Sequence, residues 1–181
     1  MRVIGGEFRS RKLKSMPGMD VRPTPDRLRE ALFNVLSPRI AGAVFVDAYA
    51  GTGAVGIEAL SRGAGKAIFI EDKRGPAELI AENLRTLQAE SRAEIVRAKA
   101  SLVIARYSAG IVFLDPPYEL EREYQACLDN LGHTLEPPPL VIAQHDSKLI
   151  LAESYGALRR FRLLKQGDNS LSFYAPGADA E

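Results

Sequence analysis

The sequence is poor in the residues that build disulfide frameworks and metal sites. Its 181 residues include one cysteine, Cys127, two histidines and no tryptophan. A lone cysteine can form neither an internal disulfide nor a zinc cage of the usual ligand set. Neither a His/Cys/Asp cluster nor a Ser/His/Asp set is visible, so we expect no metal and no hydrolytic triad. The helical pattern from Leu120 to Leu131 puts Cys127 on a buried face, which predicts a core thiol.

Long apolar runs are also missing. No stretch approaches the roughly 20 apolar residues that cross a bilayer, and the start MRVIGGEFRSRK has no apolar core of signal-peptide length. With 46% apolar and 26% charged residues, the chain can bury a full core within one domain. The sequence therefore predicts a compact, cytoplasmic and monomeric protein.

An excess of one charge is absent from the chain as a whole, whose net charge is +1. The exception is the segment from Met1 to Lys14, where five cations stand against the single anion Glu7. The cations are Arg2, Arg9, Arg11, Lys12 and Lys14. Such a run is typical either of a solvated surface or of a nucleic-acid contact, and charge counting leaves both interpretations open.

From residue 43 onward, short β-branched runs alternate with helical stretches. The runs span residues 43–46, 67–70, 94–96, 111–114 and 140–143. The helical stretches span residues 55–62, 76–88 and 120–131. This alternation predicts an α/β fold with a mostly parallel sheet covered by helices. Two last runs, 158–164 and 171–174, flank a Gly-Asp turn and predict an antiparallel hairpin.

The same pass along the chain predicts its segments. Residues 1–22 are expected to form a basic arm that contains a short, glycine-broken β-hairpin. Thr24-Pro25 is typical of a helix start, with Thr24 as N-cap and Pro25 in the first helical position. Residues 23–175 form the main domain in this interpretation, and residues 176–181 form a frayed tail.

A glycine-rich loop follows the first predicted strand and leads into a helix, in the segment Asp47-Ala48-Tyr49-Ala50-Gly51-Thr52-Gly53-Ala54-Val55-Gly56. Gly51 and Gly53 allow a tight turn and a close approach of the backbone to a ligand. Glu71 closes the second strand, where an acid can accept the hydroxyls of a ribose. These features predict a nucleotide-like cofactor and fit both a nicotinamide dinucleotide and S-adenosylmethionine.

The position of Asp47 favours S-adenosylmethionine. The first glycine comes four positions after Asp47, whereas a dinucleotide site brings it almost directly off the strand. Asp47 would then be free to attract the positively charged amino group of the cofactor. The alternative is a carboxylate that only caps the loop.

The segment Asp115-Pro116-Pro117-Tyr118 follows the buried run 111–114 and reaches the same predicted sheet edge. Two consecutive prolines stiffen the chain and leave its carbonyls free to accept hydrogen bonds. If Asp115 Oδ and the Pro116 carbonyl each accept one N–H of an exocyclic amino group, its nitrogen is oriented toward a sulfonium methyl group. Tyr118 would stack on the base. The alternative is a simple strand-ending turn.

These motifs resemble those of the RsmD family, bacterial methyltransferases that modify the N2 amino group of a guanine in small-subunit ribosomal RNA. The likeness runs from Arg2 to about Tyr174. It rests on Val3-Ile4-Gly5-Gly6, Arg22-Pro23-Thr24, Asp26-Arg27, Arg29-Glu30, Leu32-Phe33-Asn34, Ala50-Gly51-Thr52-Gly53-Ala54, Glu58-Ala59-Leu60-Ser61-Arg62-Gly63-Ala64, Asp115-Pro116-Pro117-Tyr118 and Leu171-Ser172-Phe173-Tyr174.

The resemblance implies a seven-stranded Rossmann-like methyltransferase domain that uses S-adenosylmethionine. The residues expected at the cofactor are Asp47, Ala50, Gly51, Gly53, Glu71 and Thr24. The residues expected at the guanine are Asp115, Pro116 and Tyr118. The residues expected to contact 16S ribosomal RNA, free or in an assembling 30S particle, are Arg9, Arg11, Lys12, Arg22, Arg27 and Arg29. One departure is Lys99, which stands where the family often has an acid and which predicts weaker cofactor binding.

Three other functions stay open at this point. A DNA adenine-N6 methyltransferase would use the same tetrapeptide. A nicotinamide-dependent oxidoreductase would use the glycine loop from Gly51 to Gly56, and a catalytically idle RNA-binding module would use only the basic arm.

Overall fold

The computed structural model describes residues 1–15, 25–117 and 119–177. The predictions for Arg22, Thr24 and Tyr118 lie outside these residues. Within them, no helix is long and apolar enough to cross a membrane.

A single eight-stranded sheet forms the centre of the protein. Its strands are β1 Val44–Ala48, β2 Lys66–Ile70, β3 Ala93–Val96, β4 Ile111–Leu114, β5 Val141–Asp146, β6 Ser154–Tyr155, β7 Leu158–Gln166 and β8 Asn169–Pro176. Their spatial order is β3-β2-β1-β4-β5-β8-β7-β6. β1 to β5 pair in parallel, and β8 and β7 add an antiparallel hairpin. The predicted Rossmann-like fold is confirmed, with the two-residue β6 as an eighth strand beyond the seven expected.

Five α-helices of the described residues cover the sheet: α1 Asp26–Leu36, α2 Ala54–Ser61, α3 Arg74–Leu87, α4 Ala100–Val103 and α5 Glu121–Gly132. Residues of α1, α2 and α3 pack on the face that carries Phe45 and Phe69. Residues of α4 and α5 pack on the opposite face, with Val46 and Val112. Because both faces are covered, the central strands are mostly apolar and do not alternate between apolar and polar residues.

The start of α1 differs by one residue from the prediction. Pro25 occupies the N-cap position and the helix begins at Asp26, whereas Thr24 was expected as the cap and Pro25 as the first helical residue. The Pro25 carbonyl accepts the N–H groups of Leu28 and Arg29 at 2.9 and 3.0 Å. Proline serves here because its carbonyl, not its missing N–H, is needed at this position.

Residues 1–15 of the N-terminal arm fold back on themselves as predicted, and among these residues one antiparallel bridge forms, between Arg2 and Lys12. Its apolar side chains Val3, Phe8 and Leu13 are at most 6% exposed and join the core formed by α2, α3 and β2. Residues 1–15 of the arm are therefore packed into the core of the domain.

Candidate active site

Three carboxyl groups meet at the carboxyl ends of adjacent strands. β1 pairs with β2 and β4 so that Ala48 lies beside Ile70 and Leu114, and Glu71 and Asp115 directly follow these two residues. Asp47 precedes Ala48 and is 2% exposed. Burial, followed by the charges of Asp115 and Glu71, holds the pKa of Asp47 well above its usual range. This edge of the sheet is therefore an acidic environment that favours a cationic ligand.

The glycine loop turns sharply above this edge. Gly51 and Gly53 have φ values of 55° and 77°, in the left-handed region where a side chain is disfavoured. Gly53 is the N-cap of α2, and its N–H donates to the Ala50 carbonyl at 2.7 Å. At Gly56, a Cβ would lie 2.3 Å from the Phe69 ring. Gly51 and Gly53 thus permit the tight turn that the motif predicted, and Gly56 permits the close packing of α2 on the sheet.

Asp47 caps helix α2. Its Oδ2 accepts the N–H of Gly56 at 2.8 Å, in the first turn of the helix. Gly53 has no side chain to cap this turn, so Asp47 does so from the neighbouring strand. This contact agrees with the alternative interpretation, in which the carboxylate caps the loop. Its role toward a cofactor stays a prediction.

Glu71 fastens the glycine loop to β2. Its two carboxylate oxygens accept the N–H groups of Gly51 at 2.9 Å and Lys73 at 3.0 Å. Burial raises the pKa of this carboxyl. A carboxylate offers about four acceptor positions, so two remain for further donors such as ribose hydroxyls.

Asp115 differs from the other two acids because no hydrogen bond to its carboxyl exists within the described part of the chain. It is half-buried after β4, and burial raises its pKa to about 7. The next carbonyl, that of Pro116, likewise accepts no hydrogen bond from a described residue, whereas the Pro117 carbonyl accepts the Leu120 N–H at 2.8 Å. The chain therefore presents two adjacent unused acceptors on a proline-stiffened segment.

Tyr49 is a residue of the site that sequence reasoning missed. Its φ of 66° is unusual for a residue with a side chain. The phenol lies 2.6 Å from Glu123 Oε2 and 3.2 Å from Cys127 Sγ, both on α5. Tyr49 thus links the glycine loop to α5, the helix that follows the Asp115-Pro116-Pro117 segment. No spacing rule points to such a contact, because 74 residues separate Tyr49 from Glu123.

Two other groups near this edge, the Cys127 thiol and the His145 ring, are buried and make contacts within the protein. Cys127 is fully buried, and burial raises the pKa of its thiol to about 11, which confirms the core assignment. His145 is 3% exposed, and its ring nitrogens contact the Asp146 carbonyl at 2.8 Å and Ser172 Oγ at 2.9 Å. Burial lowers the pKa of His145, so a neutral, hydrogen-bonded ring is favoured over a catalytic base.

The cations predicted to contact RNA fall into two groups. Arg9, Arg11, Lys12 and Arg27 are exposed. Arg29 is 0% exposed, and its Nη2 donates to the Arg2 carbonyl at 2.6 Å and to Asp26 Oδ1 at 3.0 Å. The prediction that Arg29 contacts RNA is therefore wrong, because its side chain lies in the joint between arm and domain. Lys99 is exposed and precedes α4.

Glu58 is the centre of that joint, a role that its place in the sequence motifs did not indicate. This fully buried carboxylate accepts the N–H groups of Ile4 and Gly5, each at 2.8 Å, and the Arg62 Nε at 2.8 Å. Arg29 Nε lies 3.9 Å away. Nearby, Asn83 Oδ1 accepts the Lys14 N–H at 2.8 Å. The arm is thus held by buried polar contacts as well as by apolar packing.

Comparison with known proteins places this geometry in a family. The model of the family described as "Conserved hypothetical protein 95" matches residues 1–175. The Bacillus subtilis protein YlbH is 34% identical over 181 residues, covering 96% of this chain and 98% of its own. The Haemophilus influenzae protein named "Ribosomal RNA small subunit methyltransferase D" is 35% identical over 170 residues, covering 88% and 86%. Its Escherichia coli namesake is 44% identical over 120 residues, covering 65% of this chain and 60% of its own.

Solved structures agree with the sequence matches. Escherichia coli yhhF superposes with a TM-score of 0.83 at 33% identity and covers 99% of each chain. An RNA methyltransferase from Salinibacter ruber, solved with S-adenosyl-L-homocysteine, has a TM-score of 0.67 at 15% identity, covers 88% of this chain and 97% of its own, and shows the shared fold. The chain belongs to the RsmD family of methyltransferases.

Proposed function

We propose that this chain transfers a methyl group from S-adenosylmethionine to the exocyclic N2 amino group of a guanine in small-subunit (16S) ribosomal RNA. The observation that carries the proposal is a pair of acceptors beside the glycine loop, the Asp115 carboxyl and the Pro116 carbonyl, that no described residue uses. Family membership and the named relatives support ribosomal RNA as the substrate class.

The charges at the sheet edge fit a cationic cofactor better than a dinucleotide. A pyrophosphate would approach the first turn of α2, where Asp47 already holds the Gly56 N–H. The neighbouring carboxyls of Glu71 and Asp115 would repel its negative charges. S-adenosylmethionine carries positive charge and supplies an electrophilic methyl group. Gly51, Gly53 and Ala50 would border it, and the free acceptor positions of Glu71 would take its ribose hydroxyls.

The residues of the chain act mainly by orientation. The amino nitrogen of guanine is a poor nucleophile, since its lone pair is delocalised into the ring. Asp115 Oδ and the Pro116 carbonyl each accept one N–H, which aims the lone pair toward the cofactor. The methylated nitrogen then loses one proton to water, so no base such as His145 is needed. Tyr118 is proposed to stack on the base, which must be unpaired or turned out of its helix.

Methyl transfer from labelled cofactor is the direct test. Purified protein is incubated with 30S subunits, deproteinised 16S RNA or duplex DNA, and the products are digested to nucleosides for mass spectrometry. We expect N2-methylguanine from ribosomal RNA and no N6-methyladenine from DNA. Label in DNA adenine would favour the alternative substrate of the same site, and absence of label from every RNA substrate would contradict the proposal.

The raised pKa of Asp115 predicts a pH-dependent rate. The ionised carboxylate accepts N–H bonds, whereas the protonated acid presents a donor to a group that is itself a donor. Because the pKa is about 7, the accepting form is lost as the pH falls through that value. We expect kcat/KM to level off above about pH 8 and to fall about tenfold per pH unit below about pH 6. Initial rates at constant ionic strength measure this, and a flat profile between these limits would refute it.

The exposed arm cations are proposed to bind RNA phosphates. Replacing Arg9, Arg11 and Lys12 by glutamine in one triple variant should weaken RNA binding. The slope of log Kd against log salt concentration should fall by about 2 to 3. Filter binding of 16S RNA across a salt series measures the slope. Replacing Lys14 with glutamine is the matched control, because its ammonium already pairs with Glu82. An unchanged slope in the triple variant would show that these residues belong to a solvated surface and do not contact RNA.

A further inference from the structure

We propose that the protein has a second RNA-binding surface, formed by Arg39, Arg159, Phe161 and Arg162, which contacts RNA away from the target base. We call it the β7 surface. The proposal deepens the proposed function, because it rests on RNA being the substrate. It concerns a part of the fold that neither the motifs nor the catalytic edge explains.

β7 carries an unusual excess of positive charge. It contains four cations and no acid: Arg159, Arg160, Arg162 and Lys165. Arg160 lies 3.8 Å from Glu153. Within the described part of the chain, no carboxylate pairs with Arg159, Arg162 or Arg39. On the neighbouring turn, Asp168 is exposed without an ion pair to these residues. The uncompensated cations favour a polyanionic partner.

An exposed aromatic ring lies among these cations. Phe161 is 56% exposed and sits where the pairing of β7 with β8 is shifted between Arg160 and Arg162. Such a bulge redirects a side chain. Its ring centroid is 6.3 Å from that of the buried Phe173, and the Arg162 guanidinium lies 5.7 Å over the same Phe173 ring. A supported ring beside a guanidinium suits an unpaired base, which stacks on the ring while a cation meets its phosphate.

A shallow groove extends this surface across the end of the sheet. Arg39, Arg159 and Phe161 line it together with Ala175, Pro176 and Gly177, and its volume is about 260 Å³. This is less than the roughly 300–1,000 Å³ of pockets that enclose a small ligand. A polymer lying across the groove fits better than an enclosed metabolite. Arg39 and Arg159 on this groove favour a polyanion over an apolar protein segment.

The β7 surface lies toward the amino ends of the parallel strands, whereas Asp115 follows the carboxyl end of β4. Arg159 and Arg162 pair with Ala175 and Phe173 of β8, on the sheet face covered by α1. The arm packs on the same face, against α2 and α3. Four strand spacings separate β1 from β7, or about 20 Å. Arg160 is level with Val112 and Arg162 with Phe113 through the pairing of β7, β8, β5 and β4, so RNA that reaches both this surface and Asp115 must extend along the strands as well as across them.

Binding of deproteinised 16S RNA to the full chain tests the proposal. Phe161→Ala should weaken binding roughly 5- to 150-fold, and Phe161→Tyr, which keeps a stacking ring, should bind within about twofold of wild type. The double variant Arg39→Glu/Arg162→Glu should reduce the salt slope by about 1.4 or more. Arg106→Glu is the matched control, because it changes an exposed cation of the short turn that follows α4. Equal thermal midpoints and cofactor affinities confirm folding.

The outcomes separate this proposal from the proposed function. If Phe161→Ala and the double variant bind RNA like Arg106→Glu, the β7 surface does not bind RNA, while methyl transfer by the wild type still stands. If the variants lose methylation of 30S subunits but bind naked RNA normally, the partner is a ribosomal protein and the proposal is overturned. If the wild type methylates no RNA, the proposed function fails. The comparison of RNA binding between wild type and variants still shows whether the β7 surface binds RNA.

Discussion

Replacing Asp115 with alanine is expected to lower kcat for methyl transfer by about 10²- to 10³-fold, the usual cost of removing one aligned polar group from an active site. Folding and cofactor affinity should change little. The reason is that the carboxyl has no protein hydrogen bond among the described residues and its burial raises its pKa to about 7. Burial thus disfavours the ionised form of Asp115. Replacing this residue therefore removes no contact that stabilises the fold.

Asp115→Asn makes the test sharper. Asparagine keeps the shape and one oxygen acceptor but cannot titrate, so we expect an intermediate kcat that no longer changes near pH 7. Single-turnover rates, cofactor affinity by calorimetry and urea unfolding are compared for both variants. Asp168→Ala, at an exposed hairpin turn, is the control. If Asp115→Ala keeps kcat within tenfold of wild type, the amino group is held by another acceptor.

Replacing Glu58 with alanine is expected to lower the free energy of unfolding by about 3–5 kcal/mol, since it leaves buried charge without a partner. Its loss would strand the N–H groups of Ile4 and Gly5 and the guanidinium of Arg62. It would also remove the carboxylate that lies 3.9 Å from Arg29 Nε, a nitrogen that has no hydrogen bond to a described residue. The arm should separate from α2, so trypsin should cleave after Arg9 and Arg11 sooner than in the wild type.

A second acid gives the matched comparison. Glu82 also pairs with a cation of the arm, Lys14, but both side chains are about half exposed. Its replacement with alanine should cost at most about 1 kcal/mol, because water screens such a pair. Urea unfolding monitored by circular dichroism measures both variants. Equal losses for the two would show that the carboxylate of Glu58 does not hold the arm.

The larger elements could be predicted closely because their signals are local. β4 was predicted at its observed bounds, and β1, β2 and β3 within two residues, since parallel strands buried on both faces need continuous apolar runs. β5 extends three residues further than expected, to Asp146, because it continues to pair with β8 beyond the apolar run. The short α4 and β6 were missed. Elements of four and two residues contain too little periodicity to recognise.

The candidate site was predicted in its parts but not in its internal contacts. The Gly51–Gly53 turn and the Asp115–Pro116 segment do lie at one sheet edge, because parallel strands end together there. The helix cap by Asp47, the burial of Arg29 and the link from Tyr49 to α5 were not predicted. Each of these features depends on a partner that is not adjacent in the sequence. For example, Asp47 accepts the N–H of Gly56 from the other side of the glycine loop.

By itself, the sequence determined the α/β order, the glycine loop, the acceptor tetrapeptide and the family. These are properties of contiguous residues, in which periodicity, glycine and proline set the local backbone. Only the tertiary structure decided which charged side chains are buried in contacts within the protein and which are exposed. Arg29 and Arg27 are two positions apart, yet one is buried in the arm joint and the other is exposed. The difference arises because burial depends on what packs over a helix face, here an arm whose contacts with Glu58 span more than 50 residues of chain.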